Sequence, residues 1–261
     1  MFVHNISPIL VQIGPLAIRW YSLVYLAGFI VAYFILVKFA KDGKIKNLTR
    51  ERVDTYILWL IIGIILGARI FEVLLWNPGY YFSNLIMIPQ IWKGGLSFHG
   101  GLVGAALVNW WFCRKYKVNF WNLADTLAIP AAIMLGIGRI ANFVNAELVG
   151  KVSNLPWAVN FNNEVINGEL VYRHPSQIYE AIKNFVVFGI LMIVKNFKLP
   201  KGYIFWLFVT LYGFGRFLTD LFRVETPVIF GLGVGQIMNL IMGFGGFIML
   251  WRTKWKSSQT K

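Results

Sequence analysis

The chain has 261 residues, of which 57% are hydrophobic and only 14% charged, with 25 Lys and Arg against 11 Asp and Glu. A soluble domain of this size carries about 45–50% apolar and about 25% charged residues; the excess here gathers into blocks near the ~20 residues that a bilayer-spanning helix needs, which argues against a buried soluble core. The net charge of +14 does not point to nucleic acid, because the basic residues lie in short loops between the apolar blocks, where anionic lipid headgroups supply the counter-charge.

Seven transmembrane helices are predicted, near residues 16–37, 53–75, 97–113, 123–145, 176–194, 203–222 and 234–251. The start, Met1-Phe2-Val3-His4-Asn5, has no basic region, so the first block is expected to stay as a membrane helix rather than act as a cleaved signal. Tyr21 follows Arg19 and Trp20 near its outer end, a position suited to an interfacial aromatic belt. On the second segment Arg69 and Glu72 are one turn apart, placed to neutralise each other.

The third segment opens with Ser97-Phe98-His99-Gly100-Gly101-Leu102-Val103-Gly104. Adjacent glycines leave the backbone bare for close approach of a ligand or another helix. His99 fits a base, a hydrogen-bond donor or a phosphate contact, and equally a structural residue at a tight helix start. The segment ends at Cys113, the single cysteine, which rules out an internal disulfide framework and reads as a packed or lipid-facing thiol. Trp110-Trp111-Phe112 before it does not resemble a lipoprotein acylation site.

Asp125 starts the fourth segment as a candidate helix cap, and the run Gly136-Ile137-Gly138-Arg139-Ile140-Ala141-Asn142-Phe143-Val144-Asn145-Ala146-Glu147-Leu148-Val149-Gly150 closes it. A charge in the bilayer costs about 2.5–3.5 kcal/mol on insertion scales and marks a cavity or a site. Arg139 can hold a phosphate through two parallel hydrogen bonds, or it can sit in an internal ion pair with Glu147 or another acid. The loop at about 146–174 is expected to form a small external cap with a hairpin at Asn167-Gly168. The fifth segment begins Arg173-His174-Pro175-Ser176-Gln177-Ile178-Tyr179-Glu180, with Pro175 suited to a first helical turn and His174 extended before it. Here capping and chemistry are equally open readings.

On the sixth segment Tyr212, Arg216, Asp220 and Arg223 step by about one turn and form a stripe. Asp220 pairs with Arg216 or Arg223 in this reading and leaves the other for an anion; a salt-bridge ladder is the alternative. Gly231-Leu232-Gly233-Val234-Gly235 before the last segment is too short and wrongly placed for a dinucleotide fingerprint. Three scattered histidines and one cysteine form no metal constellation, and no cofactor is expected.

Sixteen basic residues fall on one side of this seven-span arrangement, in the loops after spans one, three and five and at the C-terminus, against Lys93, Lys151, Arg173 and Arg223 on the other. The positive-inside rule then places the N-terminus outside and the C-terminus in the cytoplasm. One polytopic membrane domain, residues 1–261, is the simplest organisation. Arg139, Arg216 and Arg223 gather at the outer half, approached from the same side by His99 and Tyr21. A phospholipid suits such a site best, its anionic headgroup meeting arginine while its acyl chains stay in lipid. A transporter would place polar residues in both halves and usually carry a repeat; a different lipid-modifying enzyme is the other rival.

The segment from Gly138 to Gly150 closely resembles the signature of the bacterial prolipoprotein diacylglyceryl transferases. Ser97-Phe98-His99-Gly100-Gly101, Arg173 to Glu180, Trp20-Tyr21 and the Tyr212–Arg223 stripe are similar to further motifs of that family, in family order over nearly the whole chain. The resemblance implies transfer of the diacylglyceryl group of phosphatidylglycerol to the lipobox cysteine of a prolipoprotein, with glycerol phosphate leaving, in the bacterial inner membrane. It implies catalytic roles for Tyr21, His99, Arg139 and Arg216. Phosphatidylglycerol is assigned to Arg139, Asn142, Glu147, Gly150, Tyr212 and Arg216, with Gly100, Gly101, Asp125, Asp220 and Arg223 in support. Phosphatidylglycerol, prolipoprotein signal peptides and membrane lipids are the implied partners. Ala141 stands where the family more often has glycine, Asp220 where it usually has glutamate, and the external loop is shorter than in some members.

Overall fold

A computed structural model describes residues 2–13, 16–224 and 227–259. Helices dominate, so the all-α expectation holds for an apolar protein of this kind. Strand β1 (Phe2–His4), β2 (Ile9–Ile13) and β3 (Leu16–Arg19) precede helix α1 (Trp20–Lys41). Then come α2 (Arg50–Phe71), which continues as a π turn over Glu72–Trp76, the short α3 (Pro78–Ser83), α4 (Phe98–Tyr116) and α5 (Phe120–Val144). Strands β4 (Val159–Phe161), β5 (Val165–Ile166) and β6 (Glu169–Leu170) lie in the following loop. Helices α6 (Ser176–Val194) and α7 (Tyr203–Asp220), strands β7 (Pro227–Ile229) and β8 (Leu232–Gly233) and helix α8 (Val234–Gln259) complete the order.

A long helix overlies each of the seven predicted segments. Among the described residues four are long and apolar enough to cross a membrane: Arg50–Trp76, Phe120–Val144, Ser176–Val194 and Val234–Thr253. The first segment was expected to be helical from residue 16. Instead β3 pairs antiparallel with β2, and the helix begins at Trp20. Ile9-Leu10-Val11 and Ile18 are apolar and largely β-branched, and such residues fit a pleated pair as readily as a helix. The Asn167-Gly168 hairpin is present: Val165 faces Leu170 and Ile166 faces Glu169. Its two turn residues both have positive φ, 52° and 85°, as a tight two-residue hairpin turn requires.

The described chain forms two compact units, residues 1–32 with 124–261, and residues 33–123. In the second unit α2 packs on α4 through glycines. A Cβ on Gly67 would collide with the Gly100 carbonyl, one on Gly100 with the Gly67 carbonyl, and one on Gly104 with the Gly63 carbonyl. Two small-xxx-small stripes thus let the helix backbones touch, which is how membrane helices gain packing without a hydrophobic drive. Cys113 is buried in this unit, the packed thiol of the two readings.

In the first unit α7 packs between α6 and α8. Ala132 on α5 and Val187 and Leu191 on α6 form a buried cluster, flanked by Ile204, Leu207 and Leu211 of α7. Here the Asp125 expectation needs correction. Asp125 does not cap its own helix; its carboxylate accepts from the backbone N–H of Gly202 at 2.7 Å and of Phe205 at 2.8 Å. The residue before α7 is Gly202, which has no side chain to satisfy the orphan donors of the first turn, so a neighbouring helix supplies the acceptor.

Candidate active site

Near the other end of α5, Arg139 projects its guanidinium at Glu180, in the first turns of α6, with Nε 3.0 Å from Oε2. The other oxygen of Glu180 pairs with Nη1 of Arg216 from α7. Glu180 is 2% exposed and joins three helices through one carboxylate. Arg216 turns its Nε to Asp220, 3.2 Å away and one helical turn on. Arg223 reaches the same Asp220 oxygen at 3.5 Å. The second Asp220 oxygen accepts from Asn239 Nδ2 of α8 at 2.7 Å, and Gln236 Nε2 donates to the Asp220 carbonyl at 3.2 Å. Asp220 therefore holds both arginines, not one, and also ties α7 to α8. The shorter acid keeps its partners because Asn239 meets it from the neighbouring helix.

The signature segment folds back onto this cluster. Arg139 Nη1 donates to Asn142 Oδ1 at 3.3 Å, and Asn142 Nδ2 and Asn145 Nδ2 donate to Glu147 Oε1 at 3.2 and 2.8 Å. Ala146 and Leu148 have φ near +53° and +59°, which turns the chain sharply after α5. The motif at the start of α6 holds that turn in place. Ser176 Oγ donates to the Leu148 carbonyl at 2.8 Å and Gln177 Nε2 to the Glu147 carbonyl at 2.7 Å. Gly150 N donates to the His174 carbonyl at 3.0 Å, and Lys151 N to the Phe222 carbonyl at 2.8 Å. A Cβ at Gly150 would lie 2.6 Å from His174 O and 2.8 Å from Phe222 O, so glycine is needed there for three backbone segments to meet.

Outside the helices, Arg173 grips Glu164 with both Nε and Nη2, at 2.6 and 2.5 Å. The Arg173 hydrogen bond holds the Glu164 carboxyl below the usual carboxylate range. Burial, then the Lys151 ammonium, holds the His174 imidazole below its ordinary value. Its Nδ1 lies 3.1 Å from the Tyr179 hydroxyl, which also accepts from Trp157 Nε1 at 2.8 Å. These contacts anchor the loop between α5 and α6 on the N-terminal turn of α6.

A family model for prolipoprotein diacylglyceryl transferase matches residues 8–252. The chain belongs to the prolipoprotein diacylglyceryl transferase family. Among its relatives is a protein of Geobacter sulfurreducens, 41% identical over 247 residues, covering 94% of this chain and 93% of the relative. A Brucella anthropi protein is 37% identical over 263 residues, at 95% and 92% coverage. A Bartonella bacilliformis protein is 36% identical over 270 residues, at 96% and 93%. All three carry the name phosphatidylglycerol–prolipoprotein diacylglyceryl transferase.

Of the family positions, Arg139, Asn142, Glu147, Tyr212, Arg216, Asp220 and Arg223 come together in the first unit. Tyr212 interacts with Arg139 through its hydroxyl. The backbone of Tyr21 lies in the first turn of α1, and its side chain lies outside the described residues. Asp125 is 14 residues from Arg139 on α5, roughly 21 Å at 1.5 Å per residue, and so serves α7 rather than the arginines. His99, Gly100 and Gly101 belong to the second unit, in the first turn of α4. There Ser97 caps the helix by accepting from Gly100 N at 3.4 Å, it also accepts from Trp76 Nε1 at 2.9 Å, and the His99 ring lies 6.3 Å from that of Trp76.

Two residues outside the expected set matter. Glu180, for which the sequence leaves capping and chemistry equally open, takes a bridging position that could be sought only by asking which acid on another helix answers Arg139. Arg69 was paired with Glu72; instead it is caged by the carbonyls of Met87, Ile88, Gly94 and Gly95 and by the Tyr81 hydroxyl. Gly94 and Gly95, at φ 93° and 74°, curl the chain so that its carbonyls face the guanidinium. Glu72 accepts from Asn77 instead.

Proposed function

We propose that the chain transfers the diacylglyceryl group of phosphatidylglycerol to the lipobox cysteine of a prolipoprotein. The thiol gives up its proton, sulfur bonds to the terminal glycerol carbon, and the bond from that carbon to the phosphate oxygen breaks. Glycerol phosphate leaves with the electron pair. The observation that carries this reading is the buried pair of guanidinium groups on Glu180. Arg139 and Arg216 are each largely enclosed and preoriented by a shared carboxylate. Donors fixed in advance at the point where charge develops are often the largest catalytic contribution. Charge grows on the leaving phosphate in this reaction, and two forked cations meet it with no reorganisation.

In this reading Arg139 and Arg216 bind the phosphate, with Tyr212 and Tyr21 as hydrogen-bond partners. Asn142, Glu147 and Gly150 shape the turn above the arginines, while Asp220 and Arg223 fix the orientation of Arg216. The resemblance gives His99 a part in transfer. The seven long helices are taken as seven spans of a single polytopic domain in the bacterial inner membrane, with the N-terminus outside. The basic loops support that orientation.

The test is a transfer assay on purified protein with phosphatidylglycerol and a peptide bearing a lipobox cysteine, read by peptide mass. A gain of one diacylglyceryl unit, lost when the cysteine is serine, is expected. Folded protein that gives no gain over several lipids and peptides would sink the reading.

A further inference from the structure

Lys183 belongs to no motif of the family resemblance, yet it lies seven residues into α6, roughly 10 Å from the helix start. A lysine at that depth usually snorkels to the interface. This one does not. Its stem lies against Gly215 of α7, where an added Cβ would come within 2.7 Å of Lys183 Cδ and 2.8 Å of Cγ. Its ammonium stands 4.0 Å over the ring of Tyr212. The Nζ atom is buried and has no hydrogen-bond acceptor among the described residues. The nearby acids are already engaged: Glu180 by Arg139 and Arg216, Asp220 by Arg216, Arg223 and Asn239. Lys183 interacts electrostatically with Arg139 and Asp220, so it belongs to the same cluster.

Four cations thus face two buried carboxylates. A buried charge without a hydrogen-bonded partner is costly, and an aromatic face offsets only a part of that cost. With the exposed Glu147, which Asn142 links to Arg139, counted as well, the cluster keeps a surplus of one positive charge, which matches the single negative charge of the lipid's phosphodiester. We infer that the Lys183 ammonium is a third cationic contact to the phosphoryl group of the lipid substrate and of the departing glycerol phosphate. The inference rests on the transferase reading above. Gly215 is part of the same device, since any larger residue there would displace the lysine stem.

Lys183→Met keeps the length and apolar stem and removes the charge. In mixed micelles it should raise KM for phosphatidylglycerol by about tenfold or more, the weight of a hydrogen bond to a charged group. Inhibition by added glycerol phosphate should weaken by a similar factor, and Lys183→Arg should recover part of both. The melting temperature should hold or rise, because an isolated buried charge has been removed. A lysine that only packs on Tyr212 would instead lower the melting temperature and leave KM and inhibition unchanged, which overturns the inference. Binding of glycerol phosphate and of inorganic phosphate, titrated by calorimetry, separates the sources. Equal weakening of both with KM for the lipid unmoved would make this a free-phosphate site and also overturn it. If the wild-type protein does not transfer but binds glycerol phosphate in a Lys183-dependent way, the anion site stands and the transferase reading falls.

Discussion

Arg139 and Arg216, from helices that are not neighbours in sequence, meet on one carboxylate. Each takes a different oxygen of Glu180. An acid so placed sets the distance between the two guanidinium groups and the direction in which their remaining N–H groups point. Removing it leaves two cations facing each other inside the protein. Breaking a buried ion pair from one side costs about 3–5 kcal/mol. Glu180→Leu should therefore lower the melting temperature in detergent sharply and abolish transfer. Glu180→Gln, which keeps the shape, should fold better and still transfer poorly. A Glu180→Gln enzyme with wild-type KM and kcat would show that the bridge is not used.

Arg139→Ala and Arg216→Ala should each reduce transfer by about 10²–10³-fold or more while the protein still inserts, the weight of one preorganised donor to a developing charge. Arg139→Lys and Arg216→Lys should not restore it. An ammonium cannot hold Glu180 and donate a forked pair to phosphate at once. Rates from single-turnover transfer, normalised to folded protein, check this; a lysine variant at wild-type rate would reduce the arginines to point charges.

Asp125→Ala separates architecture from chemistry. The carboxylate caps α7 from α5, through Gly202 N and Phe205 N. Losing a helix cap costs about 1 kcal/mol. A modest drop in melting temperature is expected, with transfer per folded molecule retained. A fall in kcat without a change in stability would tie Asp125 to the reaction after all.

The acid side of the stability profile should report the loop between α5 and α6. The Glu164 carboxyl is held below its ordinary value, first by the hydrogen bond from Arg173. A group with a depressed value in the folded state stabilises above its unfolded value, and that stability is lost as pH falls through the folded one. Unfolding from about pH 7 down to about pH 3 should therefore be shallower in Glu164→Gln than in the wild type, the two curves converging at the acid end. Parallel curves would mean that the ion pair is worth nothing to the loop.

The helices were legible because apolar length and basic loops are properties of contiguous sequence, and so was the Asn167-Gly168 hairpin. Arg139, Arg216 and the stripe ending at Arg223 were legible as costly charges in apolar surroundings. The partner of Arg139 was not. Spacing rules relate residues on one helix, so the sequence offers Arg139 an ion pair with Glu147 or another acid without saying which, while Glu180 lies on another element. Arg69 failed for the same reason: Glu72 is its neighbour by spacing, but the carbonyls that enclose it come from a loop whose curl depends on Gly94 and Gly95. Lys183 escaped notice as one polar residue in an apolar run, and only the notch at Gly215 shows where its charge goes.

The two glycines after His99 are not equivalent. Gly100 faces Gly67 so closely that any Cβ would strike the opposing backbone, whereas a Cβ on Gly101 would meet Ile64 Cγ2 at 3.4 Å, an ordinary contact. Gly100→Ala must push α2 and α4 apart. Overpacking of this kind costs about 1–3 kcal/mol, and in a membrane pair it also loosens the Ser97 cap on which the first turn of α4, with His99, is built. Gly101→Ala should be accepted with little change in melting temperature. Measured together, the pair distinguishes helix packing from ligand contact. If Gly101→Ala stays stable and still loses transfer, the bare backbone at that position serves a substrate; if it transfers normally while Gly100→Ala melts early, the glycines of this motif serve the approach of α4 to α2.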